Sequence, residues 1–152
     1  MEVSPETAIA LGKFGAVAAM SFSAIGSALG TGAAGAAAVG AWKKCYAQSK
    51  IAPFLLITFV GAPLSQTIYG MILMFAMIGK AEAGFPFAAL IGIGAAGGLA
   101  IGGSAWMQGR AGAGASDALA ETGKGFTNYL ATLGVIETVA IFVMVFVIIA
   151  LG

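Results

Sequence analysis

The chain has no histidine, a single cysteine (Cys45), and charged residues at only 9% of its 152 positions. No histidine and one cysteine exclude a disulfide framework and any metal site built from His and Cys. So little charge excludes an ordinary soluble domain, in which about a quarter of residues are charged. Net charge is +1, which removes any electrostatic case for binding nucleic acid. No G-x-x-x-x-G-K-[ST] phosphate loop is present, so the chain is not expected to hydrolyse ATP alone. The N-terminus, Met1-Glu2-Val3-Ser4-Pro5-Glu6, is acidic. It does not fit a cleaved signal peptide with a basic start, and the first helix is expected to be retained.

Hydrophobic residues, by contrast, make up 60% of the chain. They fall into four runs, roughly Thr7–Gly40, Ala52–Gly79, Phe85–Ala115 and Phe126–Leu151, each long enough to span a bilayer core at about 20 residues. In lipid the backbone must satisfy itself within the segment, which predicts an all-α membrane protein of four transmembrane helices. The polar separators hold Lys43, Lys44, Gln48, Ser49 and Lys50; then Lys80 and Glu82; then Ser116, Asp117, Glu121 and Lys124. This predicts two helical hairpins, 1–80 and 81–152. Lys43, Lys44, Lys50, Arg110 and Lys124 follow helices 1 and 3, against Lys13 and Lys80 on the other side. The excess predicts cytoplasmic loops after helices 1 and 3, with both termini outside.

The helices alternate in bulk. Gly and Ala fill 15 of 25 positions in Ala16–Gly40 and 16 of 25 in Ile91–Ala115, but only 4 of 25 in Phe54–Ile78 and in Thr127–Leu151. Gly26-x-x-x-Gly30, Gly94-x-x-x-Gly98 and Gly98-x-x-x-Gly102 are small-xxx-small motifs that let backbones approach closely. Helices 1 and 3 should pack together beneath bulky helices 2 and 4. A concentric ring needs this alternation, and an ordinary four-helix bundle also accommodates it.

The halves read as a duplication. Gly26-Ser27-Ala28 matches Gly103-Ser104-Ala105, 77 residues on, and at that offset Gly32 pairs with Gly109, Gly35 with Gly112 and Thr31 with Gln108. In the second helix of each hairpin the offset is 71, and there Gln66-Thr67 pairs with Glu137-Thr138. Parallel repeats recur in membrane transport proteins. The second half thus carries a carboxyl where the first carries an amide.

Glu137 is the only charged residue between Thr127 and Leu151. An ionisable group at such depth is costly and marks an ion or proton pathway by default. Pro63 interrupts helix 2 and frees the carbonyl four residues back, at Phe59. Ser65, Gln66 and Tyr69 follow it. At about 1.5 Å per residue, Gln66 lies roughly 21 Å from the start of its helix and Glu137 roughly 16 Å from the start of its own. Gln108 reaches the same layer if helix 3 runs on to about Ala118. Carboxylate, amide oxygen, hydroxyl and carbonyl together suit a hard monovalent cation, which one carboxylate neutralises. A proton does the same job on a carboxyl out of water. Each residue also has a purely structural reading: interhelical hydrogen bonds for Gln66 and Gln108, packing for Ser65 and Tyr69, backbone bonding for Thr138, and packing or interface roles for Trp42 and Trp106.

The pattern Gly26-Ser27-Ala28-x-Gly30-x-Gly32, Pro63-x-x-Gln66-x-x-Tyr69-Gly70, Gln108-Gly109 and Glu137-Thr138, in this order over four helices, resembles the proteolipid rotor-ring subunits (c- or K-type) of V-type and A-type rotary ATPases. The resemblance covers nearly the whole chain and is closest to the sodium-type members. It implies a ring of identical subunits, with helices 1 and 3 inside and 2 and 4 outside, that carries Na+ or H+ and turns against a stator subunit with half-channels. Central-stalk subunits and a soluble head would handle ATP, and the chain would be no enzyme by itself. It implies a Na+ ligand set of Glu137, Gln108, Ser65, Gln66 and the Ala62 carbonyl, with Tyr69 steadying the carboxylate. Ser65 stands where a threonine is usual, and Leu64 and Thr67 replace glycines often found beside the motif, which puts the local backbone shape in question. The rival expectation is a small four-helix exporter that exchanges protons for a cationic substrate at the membrane glutamate; it needs a roomy, aromatic-lined pocket there. A structural membrane protein without transport is disfavoured by a midplane Glu with two Gln.

Overall fold

The computed structural model describes residues 3–152. Among them every regular element is helical, and four helices are long and apolar enough to cross a membrane. They are α1 (Pro5–Ala47), α2 (Leu56–Glu82), α3 (Phe87–Thr122) and α4 (Phe126–Ala150). Helix α1 starts on a side-chain cap, with the Ser4 hydroxyl accepting from the Thr7 N–H at 3.3 Å and Pro5 at the first helical position. That position suits proline, because its missing N–H would have no partner there in any case. Helix α3 ends on Gly123, and Gly125 precedes α4; both have positive φ (65° and 89°), which lets three residues reverse the chain.

Helices α1 and α3 extend further than the apolar runs predict. Lys43 and Lys44 lie inside α1, and Arg110, Ser116, Asp117 and Glu121 lie inside α3 rather than in a loop. Leaving the apolar stretch does not end a helix whose next residues are themselves good helix formers, as Lys, Ala, Arg and Glu are. At about 1.5 Å per residue, the 43 residues of α1 span far more than the roughly 30 Å of a bilayer core. Charged contacts sit at the helix ends: Lys13 meets Glu82 at 2.7 Å, and Lys44 meets Glu121 at 3.7 Å.

The small-residue helices form the tightest seam. A Cβ on Gly26 would run into the Gly102 backbone, one on Gly109 into Gly30, and one on Gly94 into the Gly15 carbonyl. Backbones in contact maximise dispersion between helices where lipid supplies no hydrophobic drive. The register of these contacts makes α1 and α3 parallel, as a duplicated hairpin requires. Within the first hairpin, Gly12 faces Ala81, Ser23 faces Gly70 and Gly30 faces Pro63, so α2 runs antiparallel to α1. Bulky side chains fill the remainder in two clusters. One centres on Leu73, Met77, Leu90 and Ile101. The other centres on Leu56, Phe59, Leu119 and Leu133, with the Phe59 ring 5.5 Å from Phe126 and 6.3 Å from Tyr129.

Candidate functional site

Helix α2 is interrupted at its proline. A 3-10 turn, Ala62–Leu64, separates the α-helical stretches Leu56–Gly61 and Ser65–Glu82. Pro63 has no N–H to give the Phe59 carbonyl, and a tighter turn takes up the defect. The freed Phe59 oxygen points toward α3, 3.0 Å from where a Cβ on Gly112 would sit. It therefore belongs to helix packing. Leu64 has φ −77° and ψ −26°, an ordinary right-handed conformation, so the lack of a glycine there imposes no strain.

Past that turn the polar side chains meet. Ser65 Oγ lies 3.1 Å from the Ala62 carbonyl oxygen and 3.1 Å from Gln66 Oε1. A hydroxyl has one proton, so it serves one of these oxygens at a time. Gln66 Nε2 donates to Gln108 Oε1 at 2.8 Å. Gln108 Nε2 donates to Glu137 Oε2 at 3.1 Å and to the Leu133 carbonyl at 3.0 Å. The Tyr69 hydroxyl donates to Glu137 Oε1 at 2.5 Å. One chain of contacts thus joins α2, α3 and α4 and holds all six predicted groups: Ala62, Ser65, Gln66, Tyr69, Gln108 and Glu137. Gln66 and Gln108 are wholly buried. Glu137 is half-buried on α4, beside exposed Val135, Val139 and Phe142.

The layer is level. Helix α2 begins at Leu56, four residues later than the apolar run, so Gln66 is about 15 Å from its helix start and Glu137 about 16 Å from its own. Helix α3 runs to Thr122, which puts Gln108 well inside it. Two partners were not expected from the sequence. Ser104 Oγ donates to the Ile136 carbonyl at 2.9 Å, beside the carboxylate, and the Leu133 carbonyl anchors Gln108. Ser104 was visible in the repeat, one turn before Gln108. A backbone carbonyl leaves no mark in a sequence. Thr138 bonds its own helix, through the Val135 carbonyl at 2.7 Å, and takes no part. Trp42 Nε1 donates to the Pro53 carbonyl at 2.8 Å and ties the first loop to α1.

The electrostatics are unbalanced. Both Glu137 oxygens accept from uncharged donors. Among the described residues, the two ion pairs lie at the helix ends, and no Lys or Arg is paired with Glu137. Hydrogen bonds orient a carboxylate but leave its charge uncompensated, and a charge held out of water needs a counter-charge or a proton. Glu137 is the only charged residue between Thr127 and Leu151, so a single carboxylate is the charge that α4 offers. Glu137, Gln108, Gln66, Ser65 and the Ala62 carbonyl all carry oxygen, the ligand type a hard cation takes, with Gln108 Oε1 accepting from Gln66 Nε2 and Gln66 Oε1 lying 3.1 Å from Ser65 Oγ. Aromatic rings pair elsewhere, Phe59 with Phe126 and Tyr129, and Phe142 with Phe146; only Tyr69 bonds the carboxylate.

Residues 91–150 match the ATP synthase C-subunit family. The match covers most of α3 and all of α4, and so includes Gln108 and Glu137. No curated protein matches the chain.

Proposed function

We propose that the chain is a rotor-ring subunit of a rotary ATPase of the V/A type, and that Glu137 carries one Na+, or a proton in its place, across the membrane. The observation that carries this reading is a mid-helix carboxylate whose two oxygens accept only from Tyr69 and Gln108, with no cationic side chain paired to it. A bound cation makes the site neutral, and a neutral site can pass through lipid without the full cost of a buried charge. The match to the ATP synthase C-subunit family over the second hairpin supports the same role.

In this reading, Glu137 takes its ion from a half-channel in a stator subunit, the ring turns, and a second half-channel receives the ion. Gln108 and Tyr69 hold the carboxylate in place, while Ser65, Gln66 and the Ala62 carbonyl replace the ion's water. Na+ is favoured over H+ as the cargo because a proton needs only the carboxyl, whereas four further oxygen ligands are spent here. The hairpins, 1–80 and 81–152, form one repeating unit with α1 and α3 toward the ring axis and α2 and α4 toward lipid. The ring would sit in a cell membrane, with the loops after α1 and α3 on the cytoplasmic side near the central stalk, and both termini outside.

Two measurements test this. Size in mild detergent should be that of many copies; a monomer or dimer would rule out the ring. Carbodiimide should modify Glu137, and Na+ should block the reaction. Proton and Na+ compete for one carboxylate, so lowering the pH should raise the Na+ concentration needed for half-protection. Indifference to Na+ at every pH would leave a proton site.

A further inference from the structure

Two buried side-chain oxygens have no hydrogen-bond partner among the described residues, Ser27 Oγ and Thr31 Oγ1. Both are on α1, four residues apart. A buried hydroxyl left unpaired is costly, and in native proteins such a group usually has a partner, often an ordered water. Several other helical hydroxyls bond the carbonyl four residues back, Ser23 to Ala19, Ser116 to Gly112 and Thr132 to Asn128. Ser27 and Thr31 do not.

The position of the pair is informative. Facing residues of α1 and α2 move in opposite directions along the chain, with Ser23 against Gly70 and Gly30 against Pro63. On that register Ser27 is level with Gln66, and Thr31 with Ala62. Both orphans therefore stand at the height of the α2 cation ligands.

The duplication shows what such positions do when completed. Ser27 corresponds to Ser104, which reaches the Ile136 carbonyl on α4. Thr31 corresponds to Gln108, which reaches the Leu133 carbonyl. The matching carbonyls on α2 are those of Ser65 and Ala62, 71 residues earlier. In the first hairpin these contacts are not made. Threonine is shorter than glutamine, and at the 3-10 turn the Ala62 carbonyl already accepts from the Ser65 N–H and lies 3.1 Å from Ser65 Oγ, whereas α4 is unbroken at the matching place.

We propose that Ser27 and Thr31 hold an ordered water against the Ala62–Ser65 segment of α2, and that this water positions the α2 oxygens of the cation site. Two hydroxyls and the nearby carbonyls supply the two to four polar partners an internal water needs. Ser27 and Thr31 are positioning residues, acting through the Ala62 carbonyl and Ser65. The proposal rests on the reading of the Glu137 layer as a cation site.

The test uses the intact purified assembly and the Na+ concentration that half-protects Glu137 from carbodiimide. Thr31→Val keeps the shape and removes the hydroxyl; it should raise that concentration roughly tenfold, the scale typical of groups behind metal ligands. Ser27→Ala should act in the same direction, and less. Thr31→Ser keeps the hydroxyl and should stay near the parent value. Thr31→Gln should also return toward it, because the longer amide can take the water's place as Gln108 does on α4. Unchanged protection in Thr31→Val overturns the proposal. A parent assembly that Na+ never protects overturns the cation reading instead. The water is then decided by a structure that resolves solvent. Density within hydrogen-bonding distance of Thr31 Oγ1 and the Ala62 oxygen supports it. Ser27 and Thr31 bonded only to their own helix, with no density between, overturns it.

Discussion

The two hairpins start from the same pattern and end with different chemistry. In the second, Gln108 and Ser104 on α3 reach across to α4 and fix a carboxylate. In the first, Thr31 and Ser27 stop short, and Gln66 stands where the carboxylate would be. The first hairpin does not build a second site. It lends Ser65, Gln66 and Tyr69 to the one its partner holds. Duplication followed by divergence thus turns two equivalent hairpins into one composite site with a single charge. Making the halves alike again should destroy it, and Glu137→Gln does so in one step. Carbodiimide labelling and ion transport should vanish completely. Assembly should persist, since burying an amide with hydrogen bonds available costs less than burying a charge. Loss of the ring in this variant would mean that the carboxylate is structural.

The same comparison extends to glycines. Gly26 and Gly103 occupy equivalent places in the repeat, yet only Gly26 is pressed against a neighbour's backbone; a Cβ on Gly103 meets nothing within 4 Å. Gly109 is tight against Gly30, while its counterpart Gly32 is open. In the proposed ring these open positions are free to receive the next copy. Gly26→Leu should disrupt the single chain by about 3 kcal/mol or more, since backbone cannot give way to a side chain. Gly103→Leu should leave the protomer folded and block assembly. Detergent sizing together with helical content by circular dichroism separates the two outcomes, and a Gly103→Leu protein that assembles normally shows that Gly103 does not lie at a contact between copies.

How much of this was legible beforehand follows from what lipid forbids. Four apolar runs can only be helices in a bilayer, and a lone carboxyl among them stands out by its cost. Pro63, Gln66, Tyr69 and Gln108 were legible because polar groups at that depth are few. The helix ends were less so: Lys43, Arg110 and Glu121 mark departure from the apolar stretch, and the helices continue through them. The role of the Phe59 carbonyl also escaped, because freeing a backbone oxygen does not say where it points, and Gly112 on α3 receives it. The Leu133 carbonyl and the unpaired Ser27 and Thr31 required coordinates, since they depend on helix register and rotamer.

Gln108 is where the halves differ most after Glu137. It is wholly buried and bonds three groups, Gln66, Leu133 and Glu137. Gln108→Leu keeps the volume and leaves each partner short. The Na+ concentration for half-protection of Glu137 should rise about 10- to 100-fold, with the single chain also weakened by about 1–3 kcal/mol for each group left unpaired. Gln108→Glu is the informative companion. It adds a second carboxyl beside the first, and Na+ protection should be altered while helix packing stays intact by circular dichroism.

Tyr69 is the smallest expected effect among the groups bonded to Glu137, and the one that separates holding the carboxylate from coordinating the ion. Its hydroxyl donates to Glu137 Oε1. Tyr69→Phe keeps the ring that packs against Leu73 and its neighbours and removes only that donor. A hydrogen bond to a charged group is worth about 1.5–3 kcal/mol, but loss of one of two orienting donors still leaves Gln108 in place. Half-protection by Na+ should therefore shift about tenfold, at the low end of that range. With no Na+ present, the freed oxygen should react faster with carbodiimide. Those two changes together mean that Tyr69 steadies the carboxylate. If protection weakens with no change in the sodium-free rate, the hydroxyl belongs among the ion's own ligands.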